Sequence, residues 1–344
     1  MRTGLFVYFI TLLLILTACS TTPEQQATTN KPTANLAWPQ APADPRIKFE
    51  TIISDTDDFY VKKGAFSRLL DVVFGKNSFR LVRPMAIIES GTTLYIADPG
   101  VNGVHCINRD NAKYQLLGQQ KTNKLQSPVG LAANEHGHVF IADSMRRQIF
   151  ISKKACEPLQ VFITTHELNQ PTGVKWDTST QTLFVVDTKA HTVKQFSNKG
   201  KLLNTFGQRG LGEGEFNFPT MITLDSNGLL YVSDSMNFRI QVFTNDGRFV
   251  RQFGRLGNGS GDFSRPKGLA IDQAGHLYVV DSLFHSVQIF NSEGEFLLNI
   301  GGQGQAPGEF WLPTGIYISS NNKIYVADSH NQRVQVFSYI EQKT

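Results

Sequence analysis

Cysteine is scarce in this chain, three residues in 344, which excludes a small scaffold held by a dense disulfide framework. Tryptophan and methionine are also few, at 3 and 5, and charged residues make up only 18%. So little charge beside 40% hydrophobic residues excludes a disordered chain and leaves enough apolar material for a sizeable core. Neither sign dominates: 33 Lys+Arg against 29 Asp+Glu leaves +4, too weak for a nucleic-acid binder driven by phosphate neutralisation. The stretch from Leu5 to Leu16, broken only by Thr11, is about a dozen residues where a membrane span needs roughly 20. What abounds is Phe (25), Gly (29) and Pro (14), the composition of a turn-rich β protein.

Arg2 followed by this short apolar stretch fits a signal-peptide core. It ends in Leu16-Thr17-Ala18-Cys19, which resembles the lipobox of bacterial lipoproteins. The resemblance implies that residues 1–18 are removed and that Cys19 becomes the lipidated first residue. Ser20 follows, which the enterobacterial sorting rule associates with the outer membrane. Residues 20–45 are rich in Thr, Pro, Ala and Gln without hydrophobic periodicity, so 19–45 is expected to be a lipidated, flexible tether. The expected location is the bacterial cell envelope, on the periplasmic side of the outer membrane in preference to the inner membrane.

The remaining sequence repeats. Marker prolines stand at Pro84, Pro128, Pro171, Pro219, Pro266 and Pro313, and marker aspartates at Asp98, Asp143, Asp187, Asp234, Asp281 and Asp328. Both ladders advance by 43 to 48 residues and both count six. Each unit holds four short apolar runs separated by turns. In the fifth they are Gly268–Asp272, Leu277–Asp281, Val287–Phe290 and Phe296–Ile300. Four strands at this period form a β-propeller blade. The sixth unit ends soon after its third strand, and Arg46 to Ile53 alternates as a strand before the first. The expectation is therefore an all-β, six-bladed propeller of four-stranded blades over 46–340, closed by an N-terminal strand in the last blade, with 341–344 a tail.

The Pro266-Lys267-Gly268, Tyr278-Val279-Val280-Asp281-Ser282 and Phe253-Gly254 to Gly257 signatures resemble NHL repeats, and with the lipobox the chain is similar to bacterial six-bladed propeller lipoproteins. The match is strong in the last three units. The first three depart: Pro99-Gly100 follows Asp98, Thr180-Gln181 stands where a turn Gly is expected, and the loops before Pro128 and Pro171 lack the Gly series.

Strand alternation puts the marker Pro, the loop after the marker Asp and the Gly-rich crossings on one face, here called the top. The segment 54–82 must lie on that face. Within it Phe66, Leu69, Leu70, Val73 and Phe74 predict a short amphipathic helix over 65–74, stopped by Gly75. The marker aspartates read as structural acceptors of backbone N–H groups. Positions that vary between units are better candidates for ligand contact. Four residues after the Asp stand Asn102, Arg147, His191, Phe238, His285 and Gln332, and one residue after the Pro stand Met85, Val129, Thr172, Thr220, Lys267 and Thr314. Arg147, His191, Phe238, His285, Gln332 and Lys267 form the expected rim. His191, His285 and His330 could ligate zinc by type, but blades three and six are opposite, so no metal, cofactor or catalytic residue is assigned. Cys106 falls in a third strand and Cys156 in the turn after the next blade's third strand, with repeat positions five residues apart; the sequence leaves their pairing open.

The function expected is a monomeric, membrane-tethered, non-enzymatic module that presents its top face to an envelope protein, a peptide or a glycan. The alternative is a metal-dependent propeller lyase or lactonase acting at the mouth of the central channel.

Overall fold

The computed structural model describes residues 36–40, 42–55, 58, 79–111, 113–164 and 166–340. Cys19, the signal peptide, the 65–74 helix and the 341–344 tail lie outside the described residues. Six antiparallel sheets follow one another along the chain. The first blade comprises Ala86–Ser90, Thr93–Asp98, Gly103–Asn108 and Lys113–Leu117. The next four repeat that order, beginning with the first strands Pro128–Ala133, Pro171–Asp177, Pro219–Leu224 and Pro266–Ile271. The chain is a six-bladed β-propeller.

The last sheet contains Ile316–Ile318, Lys323–Asp328 and Arg333–Tyr339, and its next strand is Ile47–Ile53 from the other end of the chain. Phe49 pairs with Phe337 and Ile53 with Val334, so the N-terminal segment supplies the missing strand. A fifth, short strand, Ala37–Trp38, adds to its edge. This corrects the tether boundary at residue 45: ordered pairing already begins near Leu36, because Trp38 packs edge-on against Phe337 with ring centroids 5.7 Å apart.

The core lies between blades rather than in one central mass. Phe216, Phe263 and Phe310, each wholly buried, repeat at the crossings and pack on Phe243, Phe290 and Phe337 of the following blade. Where the third blade lacks its turn glycine, Gln181 takes the left-handed conformation (φ 56°), its amide held by the Thr178 carbonyl and Glu135.

Cys106 and Cys156 form a disulfide that links the first blade to the second, with Cα atoms 5.6 Å apart. Equal repeat position is not what a cross-blade bond requires; the two side chains have to meet across the gap between sheets. Both lie at one buried cluster shared by these blades.

Candidate functional site

All six marker aspartates are fully buried. Each carboxylate accepts backbone N–H groups from the loop just before its own blade. Asp143 takes Gln126 (2.7 Å) and Ser127 (3.0 Å), Asp281 takes Ser264 (2.7 Å) and Arg265 (3.0 Å), and Asp98 takes Val82 (2.7 Å) and Arg83 (3.0 Å). They therefore fasten the top of the first strand to the top of the second. Cations offset some of the buried charge: Arg239 lies 2.8 Å from Asp234 and Arg333 lies 2.6 Å from Asp328, while Lys194 lies 3.1 Å from Asp187. Burial nevertheless raises Asp234 above the usual carboxylate value, despite donors from Asn217 and Arg239.

In blades three to six the residue after the Asp bonds the next blade. Thr188 Oγ1 donates to the Pro219 carbonyl (2.7 Å), Ser329 Oγ to that of Pro84 (2.5 Å), and Ser235 and Ser282 likewise reach Pro266 and Pro313. Thr172, Thr220 and Thr314 hydrogen-bond these hydroxyls at 2.6–2.7 Å. Three of the positions one residue after the Pro thus belong to an inter-blade hydroxyl network.

The other variable set is constrained too. Asn102, Arg147, His191, Phe238, His285 and Gln332 all adopt left-handed φ of 52–57°. His191 is buried and its Nδ1 lies 3.2 Å from the Phe218 N–H; His285 Nδ1 accepts the Leu312 N–H at 3.0 Å. Arg147 donates to the Leu168 carbonyl and the Asn169 side chain, both at 3.0 Å. Phe238 packs partly into the core between blades four and five, and Gln332 is exposed. Lys267 is half-buried beside the top of the fifth first strand, where burial, then Arg265, pushes its ammonium below the ordinary value. The expected rim residues are spread over five successive blades and share no pocket. The structure assigns His191, His285 and Arg147 to holding the crossing loops.

What the sequence reading missed is an apolar rim. Among the described residues, eleven large hydrophobic side chains are exposed, and seven of them occupy top-face loops: Val82, Met145, Leu211, Phe218, Leu256, Leu283 and Trp311. Phe218 and Leu312 are held at φ 49°, a strained conformation for such residues, by the two imidazoles. Around them Arg83, Arg147, Lys189, Arg209 and Arg255 are exposed, as are Glu167 and Glu213, and Arg255 is paired with Asp262 at 2.9 Å. The exposed top is accordingly apolar, with charges of both signs around it. The signal was available in the sequence: Met145 and Leu283 stand two residues after the marker Asp, and Leu211 and Leu256 stand within Gly-rich crossings, positions at which the repeat places turns.

The family model DUF5128, described as a 6-bladed beta-propeller, matches residues 224–283 and 273–342. No curated protein matches the chain. Among solved structures, a Bacteroides thetaiotaomicron protein of unknown function is 16% identical with a TM-score of 0.61, over 76% of this chain and 70% of that one. A streptogramin B lyase is 11% identical (TM-score 0.58; 76% and 94% covered), and a gluconolactonase of Xanthomonas campestris is 15% identical (TM-score 0.58; 76% and 87%). At such identities the likeness is one of fold.

A metal site of the kind a metal-dependent propeller enzyme needs was tested against the residues present. Among the described residues no three His, Cys, Asp or Glu side chains converge. The rim imidazoles of His191 and His285 already accept backbone N–H groups through Nδ1. The donor set does not fit.

Proposed function

We propose that the protein is an envelope-anchored, non-enzymatic binding propeller of NHL-like type, and that its top face docks a segment of an envelope protein carrying apolar side chains. The observation that carries the reading is the concentration of exposed apolar side chains on the top loops, seven of the eleven among the described residues. Repeat-determined positions have no need of Leu, Met or Trp facing water, and a face that departs from the repeat in this way is where a partner's contacts are built. Attachment is through lipidated Cys19, on the periplasmic side of the outer membrane in a bacterial envelope. The Cys106–Cys156 disulfide supports an oxidising compartment, and the lipobox-like tetrapeptide supports the anchor. The lyase or lactonase alternative has no observation of its own, since its donor set does not assemble.

The test uses the full chain in its own envelope. Crosslinking partners are compared between wild type, the top-face pair Leu211→Glu and Leu256→Glu, and the outer-strand pair Leu203→Glu and Leu297→Glu. A partner lost only with the top-face pair supports docking there. A partner retained by that pair, or lost equally with both, removes the proposal. Cys19→Ala is expected to shift the protein from the membrane to the soluble fraction.

A further inference from the structure

Every first strand is an end strand of its sheet, so one backbone edge has no ladder partner. The six first strands enclose an axial cavity of about 340 Å³, within the range of small-ligand sites. Its lining begins below the marker prolines, where Gly130, Gly173, Gly268 and Gly315 let neighbouring first strands approach backbone to backbone. Most lining side chains are aliphatic, while the unpaired backbone edges make more of the exposed wall polar than apolar.

One position breaks the pattern. Four residues after the marker Pro stand Ile88, Ala132, Lys175, Thr223, Ala270 and Tyr317, and all six line the cavity. Five of them are neutral, so the fold does not require a charge there. Lys175 forms no hydrogen bond or ion pair among the described residues, and its residual exposure is to the cavity. Burial pushes its ammonium below the ordinary value, and Asp177 offsets this only in part. The Asp177 carboxylate is itself occupied by Ser179, Thr180 and Asn245. The cavity's other charge, Glu89, is taken by Arg109 and the Tyr325 hydroxyl. Lys175 is thus an enclosed amine with no hydrogen bond or ion pair among the described residues, one whose charged form is costly unless something completes it.

We propose that the axial cavity binds a small organic carboxylate, its anionic end paired with Lys175 and its short apolar body against the aliphatic side chains of the lining. A single ammonium matches a monoanion; a phosphate dianion would leave charge uncompensated in this setting. The site is separate from the top face, and either proposal can fail without the other.

The probes are hexanoate and, as its uncharged counterpart, 1-hexanol, titrated calorimetrically into the full chain. Hexanoate is expected to bind at one site per chain, with hexanol about tenfold or more weaker. Lys175→Thr, which places the fourth blade's residue at the equivalent position, is expected to weaken hexanoate about tenfold or more without lowering the unfolding midpoint. Equal affinity for acid and alcohol, unchanged hexanoate binding in Lys175→Thr, or no hexanoate binding up to about 10 mM each overturns the proposal. Should Lys175→Thr unfold early, Lys175→Met supplies the same comparison with the side chain's length kept.

Discussion

A carboxylate taken out of water survives only where donors meet its charge, and Asp98 shows how that balance is struck. Burial alone would raise its pKa, but the His105 ring 3.4 Å away and the Val82 and Arg83 N–H groups bring it below the usual value of 3.8. A carboxyl lowered in the folded state contributes stability that is complete above its unfolded value and is lost as pH falls through the folded one. Asp98→Asn removes that dependence. The variant is expected to be less stable than wild type at pH 7, yet to lose stability less steeply below about pH 4, as read from urea unfolding across a pH series. Parallel curves would show that Asp98 is not the group responsible. The marker aspartates could be recognised as structural acceptors because each recurs with its turn. The inter-blade partners of Ser235, Ser282 and Ser329 could not, since those bonds join residues about 31 apart within the chain or 245 apart across the closure.

At the scale of the element, close approach decides what a position tolerates. A Cβ added at Gly315 would lie 2.2 Å from the Met85 carbonyl, across the junction between the last and first blades. Gly315→Ala must therefore push two first strands apart, and a loss of about 2 kcal/mol or more is expected in denaturant unfolding. Gly302, with nothing within 4 Å, is the control, and Gly302→Ala is expected to leave stability nearly unchanged. The Pro-x-Gly signature made this glycine conspicuous in the sequence, but only the arrangement of strands shows that it spaces blades rather than forming a turn. The closing strand was legible for a different reason. The last unit lacks an outer strand, and Ile47–Ile53 alternates in the period that would supply it. A chain beginning at Ser54 is expected to unfold over a broad, non-cooperative transition, because the edge of Arg333–Tyr339 is then bare. A sharp, wild-type-like transition would mean that closure adds little.

For the whole molecule, the ring is held by two different kinds of closure. Between the last and first blades it is non-covalent: Ser329 bonds Pro84, Arg109 bonds the Tyr325 hydroxyl at 2.9 Å, and the N-terminal strand completes the sheet. Between the first and second blades it is covalent, through cysteines 50 residues apart. The first three units are those whose sequences depart most from the repeat, and the crossings between them, before Pro128 and Pro171, lack the Gly series that joins the later blades. The second blade has Val129 where the third, fourth and sixth carry the hydroxyl-network Thr, and the first has Pro99 where others carry Ser or Thr. The disulfide spans the junction where Pro99 leaves the hydroxyl bond to the next blade unmade, a relation invisible from cysteine spacing alone because it depends on which sheets face each other. Cross-linking a loop of this length restricts the unfolded chain by about 4 kcal/mol on the loop-entropy account. Cys106→Ser with Cys156→Ser is therefore expected to lower unfolding free energy by up to about that amount, and reduction of the wild-type protein to approach the same value. Hydrogen exchange locates the effect. If the disulfide stands in for that hydroxyl bond, protection falls first in the strands of blades one and two while blades four to six keep theirs. A uniform loss around the ring would instead mean that the disulfide acts only on the unfolded chain.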